Sequence, residues 1–156
     1  MPDVALTRYV GLPVGVPLDV AHSWGTLDLA LAPRRTGIRA TAPGLAAVSG
    51  RANLAQALIV RLLTPRGSLA ALGHAEYGSR LGELIGRRND VAARNLARLH
   101  VIEAIGQEPR VAELLALDVR TDPASPDVVA ISFSVVPVAS IDASGDPLAL
   151  SLELVT

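Results

Sequence analysis

The sequence has 156 residues, which fits a single domain, and a chain of this length buries about 70% of its unfolded surface without help from metals or disulfides. Half of the residues are hydrophobic but only 3% are aromatic, so the core must be aliphatic and sites that need aromatic platforms are disfavoured. The absence of cysteine excludes disulfides, thiolate nucleophiles and cysteine-ligated zinc. The net charge of −1 gives no overall field for nucleic acid or an anionic membrane. Because no apolar run approaches about 18 residues and no leader pattern is present, we expect a soluble cytosolic chain.

Residues 1–45 are rich in proline and glycine and contain short alternating runs. The run "TLDLALA" places three leucines on one face, and "GIRATAP" follows a basic turn at Arg34 and Arg35, which together predict a small β-hairpin. We therefore interpret 1–45 as an irregular N-terminal extension that can form a hairpin, followed by one domain over 46–156.

Helical periodicity begins near residue 50, where "GRANLAQALIVRLL" carries five aliphatic residues at helical spacing. This helix is expected to end before Pro65, because the residue before a proline is sterically disfavoured in a helix. A short helix is expected from Ser79 to about Ile85. A further helix follows a cap at Asn89 or Asp90. Its stripe at three- and four-residue intervals is expected to be buried: Ala92, Leu96, Leu99, Ile102 and Ile105.

After Gly106 the hydrophobic period changes to two, which predicts three strands. The turn compositions "TDPASPD" and "DASGDP" separate them, so an antiparallel meander is the simplest arrangement. The alternating positions are Leu115, Leu117 and Val119, then Val129, Ile131, Phe133 and Val135, then Leu148, Leu150, Leu152 and Leu154. The last strand is expected at a sheet edge, where unpaired backbone groups can bind another chain. The predicted fold class is α+β, with about three helices over about 50–106 and a C-terminal three-stranded antiparallel sheet with an exposed edge over about 111–155.

The polar residues give few candidates for chemistry. The three histidines have no metal-binding spacing, so we expect neither a metal nor a cofactor: they are His22, His74 and His100. The glycine-rich "TPRGSLAALG" lacks the lysine of a phosphate loop and follows a helix rather than a strand. The basic stretch between Arg80 and Arg98 is best explained as a solvated helix face. Docking onto an acidic protein partner is the second explanation, and nucleic acid is a distant third, because no aromatic residue there could stack on a base.

The segment "QEPR" places a proline between two opposite charges. Pro109 fixes its own φ and pushes the preceding residue out of the helical region, so we expect an extended chain in which Glu108 and Arg110 project to the same side. The two side chains could pair with each other or satisfy helix-end carbonyls at a helix-to-strand junction. Alternatively they could grip charges on a partner, because the planar donors of arginine suit bidentate contacts. The motif alone favours the first explanation.

Two longer segments carry a resemblance: "NLAQALIVRLLTPRGSLAALGHAEYGSRLGELIG" at 53–86 and "ARLHVIEAIGQEPRV" at 97–111, followed by an alternating strand. Within 48–120 the chain resembles the baseplate wedge proteins of contractile tails. This is the gpW-type "lysozyme-like" family of contractile phages, type VI secretion baseplates and extracellular contractile injection systems. The residues of "LLTPRG", "YGSRL" and "EPRV" that we assign to an assembly motif are Thr64, Pro65, Gly67, Tyr77, Gly78, Arg80, Glu108, Pro109 and Arg110. Ser68 departs from the pattern, since many relatives carry a glutamate there, and this argues against a role that needs a carboxylate.

The resemblance implies a structural subunit without enzymatic activity, in a hetero-oligomer with larger wedge proteins, the spike hub and the sheath subunit. It implies assembly in the cytoplasm and incorporation into a contractile particle, with no nucleic acid and no direct membrane insertion. The edge strand would template the first sheath ring by β-strand augmentation, through Leu148, Leu150, Leu152 and Leu154. Two alternatives stay open. One is a glycan-cleaving, lysozyme-like enzyme, which needs two opposed carboxylates. The other is a small adaptor that binds peptides through the same edge.

Overall fold

The computed structural model describes residues 47–123 and 125–155, and before them the strand backbone at 3–4, 6–8, 22–23, 27–29, 31–36 and 40–45. Two α-helices precede three long antiparallel strands, so the predicted α+β class and the C-terminal three-stranded sheet are confirmed. The helices and the inner face of the sheet share one aliphatic core. No helix in the described ranges is long and apolar enough to cross a membrane. Nor do the His, Asp and Glu side chains of those ranges form a group of three that could hold a metal ion.

Helix α1 spans Gly50–Leu63 and matches the predicted bounds. Its buried stripe is built on leucines four residues apart: Leu54, Leu58 and Leu62. The helix ends at Thr64, which is extended because Pro65 follows it. Both the backbone N–H and the Oγ1 hydroxyl of Thr64 donate to the carbonyl oxygen of Val60, at 2.9 and 2.7 Å. Thr64, the residue at which α1 ends, therefore satisfies the carbonyl group of Val60 in the last turn.

The segment after α1 contains two short 3-10 helices, Ala70–Leu72 and Leu81–Leu84. The helix expected from Ser79 to about Ile85 is therefore only a four-residue 3-10 helix, and the prediction of about three α-helices is not confirmed. Gly86 has a positive φ of +75°, a conformation that stops helical geometry and that glycine adopts without strain.

Helix α2 spans Val91–Gly106 and begins at Asp90, whose carboxylate accepts a hydrogen bond from the backbone N–H of Ala93 at 2.8 Å. This is a helix N-cap, and it confirms one of the two residues predicted for that position. The cap satisfies a backbone donor that has no partner within the helix.

The buried face of α2 differs from the predicted stripe. Ala92, Leu96, Leu99 and Ile102 are exposed, so the prediction is wrong for these four, and only Ile105 of the stripe is buried. The face that packs on the core is made mainly of small residues: Ala93, Ala97, His100, Val101, Ala104 and Ile105. Small side chains let the helix backbone approach the sheet closely, whereas the periodicity identifies apolar faces without saying which one points inward.

His100 is a buried polar residue on that inner face, and its Nδ1 atom has no hydrogen-bond partner among the described residues. Burial, followed by the positive charge of Arg80, lowers the pKa of His100 below its ordinary value of 6.5. The unfolded chain then binds a proton more readily than the folded one. Stability that is present above pH 6.5 is therefore lost as the pH falls towards the lowered pKa.

We expect the free energy of unfolding, measured by urea titration, to decrease from about pH 7 to about pH 5. His100→Gln should reduce this decrease, because the titrating group is gone. His74→Gln, at an exposed histidine, is the matched control for the loss of an imidazole. A His100→Gln profile identical to that of the wild type would contradict the assignment.

The C-terminal sheet is a meander of three long strands. They are the eighth to tenth strands of the chain: β8 Val111–Asp122, β9 Ser125–Pro137 and β10 Leu148–Val155. Phe133 of β9 pairs with Leu117 of β8 and with Leu150 of β10, which aligns the inner faces of the three strands. These faces cover α1 and α2. The order across the sheet is β8, β9, β10 and then a two-residue strand from the N-terminal segment.

Strand β8 keeps the expected alternation at Leu117 and Val119, which face the core, but not at Leu115. Register shifts occur between Val111 and Glu113 and between Leu114 and Ala116, and Leu115 is exposed. Each bulge adds a residue to one strand and moves the following side chains to the other face. Leu114 therefore packs against the core in place of Leu115.

The described strands of the N-terminal segment are short and pair mostly with one another. They are β1 Asp3–Val4, β2 Leu6–Arg8, β3 His22–Ser23, β4 Leu27–Leu29, β5 Leu31–Thr36, β6 Ala40–Leu45 and β7 Ala47–Val48. Strands β5 and β6 are antiparallel, but Arg34 and Arg35 lie inside β5 instead of forming the predicted turn. The predicted details of this segment are not confirmed.

Arg51 at the start of α1 anchors the connection between β9 and β10. Its guanidinium contacts the carboxylate of Asp142 and donates to the carbonyl oxygens of Asp146 and Pro147, at 2.7 and 2.8 Å. The backbone N–H of Ser144, the guanidinium of Arg51 and the hydroxyl of Ser144 together lower the pKa of Asp142 from 3.8 to about 2. One arginine thus joins the first helix to the turn that leads into the last strand.

Arg51→Ala should raise the pKa of Asp142 towards its ordinary value, because one of the three groups that favour the carboxylate is removed. The two contacts from Ser144 should keep the pKa below 3.8. The measurement is a carboxyl titration followed by NMR, with Arg120→Ala as a control at an exposed arginine far along the sequence. An unchanged titration of Asp142 in Arg51→Ala would show that the contact is not made in solution.

Candidate assembly site at the helix-to-strand junction

The segments "LLTPRG" and "YGSRL" cross each other directly after α1. Pro65 and Ser79 form a parallel bridge, in which the N–H of Ser79 donates to Thr64 O and the N–H of Arg66 donates to Ser79 O, both at 2.8 Å. The hydroxyl of Ser79 donates to the carbonyl oxygen of Leu62 at 2.6 Å. The two segments, about 14 residues apart in the chain, therefore form one structural unit at the C-terminal end of α1.

Gly78 makes this crossing possible. Its φ of +106° is in the region that favours glycine, and a Cβ added there would lie 2.4 Å from the carbonyl oxygen of Thr64. It would also lie 3.0 Å from the backbone nitrogen of Arg66. The glycine is therefore required both by its backbone conformation and by the approach of the other segment.

Glu108 is the centre of a buried ionic cluster between α1 and β8. It is 5% exposed, and its carboxylate accepts from Arg61 of α1 at 3.3 Å and from Nε of Arg110 at 2.7 Å. A further Arg110 nitrogen lies 3.3 Å from the second carboxylate oxygen, so the contact with Arg110 is bidentate. One buried carboxylate is shared by two guanidinium groups.

Arg110 also reaches α1. Its Nη1 donates to the side-chain oxygen of Asn53 at 2.9 Å, and the amide nitrogen of Asn53 donates to the carbonyl oxygen of Val48 at 3.2 Å. Its carbonyl oxygen accepts from the N–H of Val138, at the end of β9. Arg110 therefore joins the first helix to two strands of the sheet.

The chain at 108–110 is a turn and not the extended segment predicted. The N–H of Val111 donates to the carbonyl oxygen of Glu108 at 3.1 Å, which closes a four-residue β-turn with Pro109 at its second position. The fixed φ of proline suits that position. The turn brings the side chains of Glu108 and Arg110 into contact, as the first of the two explanations expected.

Burial disfavours the charged form of Glu108 and would raise its pKa, but the hydrogen bonds and charge of Arg110, followed by the charge of Arg61, outweigh this effect. The pKa of Glu108 is therefore lowered from its ordinary value of 4.5. Glu108 is ionised at neutral pH, and its charge is balanced from two sides.

A shallow groove of about 500 Å³ lies beside the cluster, and its lining residues include Arg61, His74, Glu76, Tyr77 and Gln107. The guanidinium of Arg61 stacks over the ring of Tyr77, with 4.4 Å between its central carbon and the ring centroid. Next to the groove, Arg66 contacts the carboxylates of both Glu76 and Glu103. The segment after α1 is thus tied to α1 and to α2 by charged side chains.

No protein-family model matches the chain, and no curated protein matches it. A crystal structure of a "putative tail lysozyme" from Geobacter sulfurreducens is similar to it, with a TM-score of 0.51 over 64% of this chain and 85% of that chain. The sequence identity is 19%, so the likeness concerns the fold. About two thirds of this chain therefore has a fold similar to that of the Geobacter protein.

The residues predicted for the assembly motif are only partly brought together. Glu108 and Arg110 lie in the ionic cluster, and Tyr77 joins it through Arg61. Thr64, Pro65 and Gly78 form the crossing at the end of α1, and Gly67 has a positive φ in the turn that follows. Arg80 instead pairs with Glu83, at 2.8 and 3.0 Å.

Two members of the cluster are not in the predicted set, namely Arg61 and Asn53. Both are buried polar residues on α1. A signal was present in the sequence, because Arg61 lies three residues after Leu58 and seven after Leu54, on the same side of α1 as the leucine stripe. Its partner is 47 residues further along the chain, so periodicity gives no indication of it.

The predicted edge strand β10 has its leucine side chains in the core. Leu148, Leu150, Leu152 and Leu154 are all at most 6% exposed. On the side away from β9, the two-residue strand β3 pairs in parallel with Leu152 and Glu153. Within the described residues no strand pairs with 148–151 on that side. A partner strand could therefore meet the backbone of β10 but not these side chains.

Proposed function

We propose that the chain is a structural baseplate subunit of a contractile, phage tail-like injection machine. The observation that carries the proposal is the junction itself, where three segments that resemble wedge proteins meet through the Pro65–Ser79 bridge and the Glu108 cluster. The fold shared with the "putative tail lysozyme" supports it. In this role the helices pack against larger wedge proteins around the spike hub, and the sheet contacts the first sheath ring.

The ionic cluster around Glu108 suits a rigid joint between the helices and the sheet. Glu108 is buried and holds Arg110, whose side chain is 30% exposed, whereas the side chain of Glu108 is 4% exposed. A partner would therefore meet Arg110 and the exposed Pro109, and Glu108 would fix their position. This arrangement differs from the alternative in which both Glu108 and Arg110 contact the partner.

The outer edge of β10 is the proposed site of sheath templating. Main-chain hydrogen bonds from a sheath strand would provide affinity along 148–151, where the described chain leaves the backbone open. The partner's alternate side chains would lie over the outer face of the sheet. That face has small residues on β9 and β10, such as Ser132, Ser134 and Ala149, around a groove of about 410 Å³.

We propose no enzymatic activity. A glycosidase needs one carboxyl group with a raised pKa to act as a general acid, opposed to a second carboxylate. Glu108 and Glu83 both have a lowered pKa and are held by arginines. Glu76 and Glu103 contact the same arginine, Arg66. These contacts favour structural roles for the four glutamates.

The test is removal of the gene from the cells that produce the protein, followed by electron microscopy of their particles. We expect spikes or tubes without an assembled sheath, and restoration of sheathed particles by the wild-type gene. Normal numbers of sheathed, contractile particles without the gene would contradict the proposal. The absence of any tail-like particle from the parent cells, which carry the gene, would also contradict it.

The contact with the sheath can be tested by cross-linking, because the chain contains no cysteine. Ala149→Cys places a thiol on the exposed outer face of β10, and Ala52→Cys places one on the exposed start of α1. A benzophenone maleimide attached to the new thiol should, on irradiation, join the first variant, but not the second, to the sheath subunit in restored particles. Equal cross-linking of both variants would count against templating at β10.

A further inference from the structure

The outer face of α2 carries three exposed aliphatic side chains, and two polar ones, Asn95 and Glu103, lie between them. Leu96, Leu99 and Ile102 are 38%, 57% and 50% exposed. They follow one another at three-residue steps and therefore share one side of the helix. The opposite side packs on the core through small residues such as Ala97 and Ala104. Exposed aliphatic side chains that adjoin one another on a helix are typical of surfaces that bind another protein.

Positive charge adjoins one end of this face. Arg87 and Arg88 are exposed in the loop before α2, and none of the ion pairs among the described residues includes either of them. The N-terminus of α2 adds the positive end of the helix dipole. The pKa of Glu83 is lowered first by its hydrogen bond with Arg80 and also by the charge of Arg87, and Glu83 is paired with Arg80. Asp90 accepts the cap hydrogen bond from Ala93. An acidic partner is therefore favoured at this end.

The other arginines of α2 are turned towards the sheet. Arg94 donates to Thr121 Oγ1 at 3.2 Å, and Arg98 donates to the carbonyl oxygen of Val119 at 3.0 Å. Both contacts are with β8, so these guanidinium groups are engaged beside the apolar face and not on it. The two polar side chains of the face are engaged with arginines as well, Asn95 with Arg98 and Glu103 with Arg66. The face thus offers three aliphatic side chains to a partner and has a basic N-terminal end.

We propose that this face binds an amphipathic helix of another subunit, whose aliphatic stripe packs on Leu96, Leu99 and Ile102 and whose acidic residues meet Arg87 and Arg88. Aliphatic side chains at helical spacing form ridges that pack into the grooves of a second helix. Opposite charges at one end fix the direction of that helix. The inference deepens the proposed function and rests on it for the assignment of the partner to a baseplate.

A second copy of this chain fits the face less well. The acidic residue near the C-terminal end of α2, Glu103, already contacts Arg66. An antiparallel copy would therefore bring an engaged carboxylate to Arg87 and Arg88, and a parallel copy would bring arginines against arginines. Charge complementarity favours a different protein.

The experiment begins with Leu99→Cys in the full chain, labelled with benzophenone maleimide, which is specific because the chain has no other cysteine. Ala112→Cys, exposed on β8, is the matched control. The labelled proteins are irradiated in extracts of the cells that produce the chain, and the cross-linked peptides are sequenced by mass spectrometry. The segment found is then synthesised, and its binding to the unlabelled full chain is measured by fluorescence anisotropy.

We expect the label on Leu99→Cys, and not the label on Ala112→Cys, to reach a segment with an aliphatic helical stripe and acidic residues at one end. Leu99→Asp, and Arg87→Glu combined with Arg88→Glu, should each weaken binding of the synthetic segment about tenfold or more. Ala112→Asp should not. Unchanged thermal unfolding of the variants would show that they fold.

Cross-linking to a second copy of the chain would overturn the proposal, as would equal or absent cross-linking at the two positions. A segment whose binding does not respond to charge reversal would overturn it too. If the segment belongs to a protein unrelated to any tail, the docking surface stands and the baseplate function fails. If deletion of the gene abolishes sheathed particles but the label on Leu99→Cys cross-links to no helical segment, the function stands and the docking surface fails.

Discussion

Glu108→Ala should lower the free energy of unfolding by about 3–5 kcal/mol, because it leaves Arg61 as a buried charge without its carboxylate. Arg110 would lose its bidentate partner in the same step. Arg110→Ala should cost less, since its side chain is partly exposed and Glu108 keeps its contact with Arg61. Urea unfolding followed by circular dichroism measures both.

The matched control is Glu113→Ala, which removes an exposed glutamate three residues into β8. It should change the free energy of unfolding by less than about 0.5 kcal/mol. An effect of Glu108→Ala no larger than that of Glu113→Ala would refute the buried cluster.

The lowered pKa of Glu108 adds a pH dependence. Its contribution to stability is fully present above the ordinary value of 4.5 and is lost as the pH falls through the lower folded value. The difference in stability between the wild type and Glu108→Ala should therefore shrink in acid.

These effects change how the assembly contact must be tested. A failure of Glu108→Ala to form particles would follow from an unfolded chain as readily as from a lost contact. Arg110→Lys is the more informative variant, because it keeps a positive charge near Glu108 but removes the planar bidentate donors. If folding is retained and assembly is lost, Arg110 itself meets the partner.

Gly78→Ala should be among the most damaging single-methyl additions in the described chain. Its positive φ alone costs about 1–3 kcal/mol for a residue with a side chain, and the new Cβ would lie 2.4 Å from the backbone oxygen of Thr64. Because that neighbour is backbone, the crossing of the two segments must shift. We expect a total loss of about 3 kcal/mol or more, measured by urea unfolding.

Two other glycines separate the causes. Gly67→Ala introduces a side chain at a positive φ of +84° with nothing within 4 Å of the new Cβ, so it reports the backbone conformation alone. Gly82→Ala has neither a positive φ nor a near neighbour and should be close to neutral. The expected order of destabilisation is Gly78, then Gly67, then Gly82. Equal effects at Gly78 and Gly67 would show that the close approach is relieved at no cost.

Local sequence determined the two α-helices and the three long strands of this fold. The leucine stripe and Pro65 fixed both ends of α1, and Asp90 gave the start of α2, since caps and proline act within a few residues of where they stand. Period-two alternation likewise predicted the three strands of the sheet.

Only the tertiary structure decided which surfaces meet. The inner face of α2 is set by close packing of small residues against the sheet, so Leu99 is exposed although its spacing is that of a core residue. The alternating hydrophobic pattern could not predict the bulges of β8, because an extra residue changes the register of a strand without changing its composition. Glu108 is buried because Arg61 approaches it from 47 residues away, and such a contact depends on the path of the whole chain. The sequence determined that Glu108, Pro109 and Arg110 form a junction, and the packing decided that its glutamate faces inward.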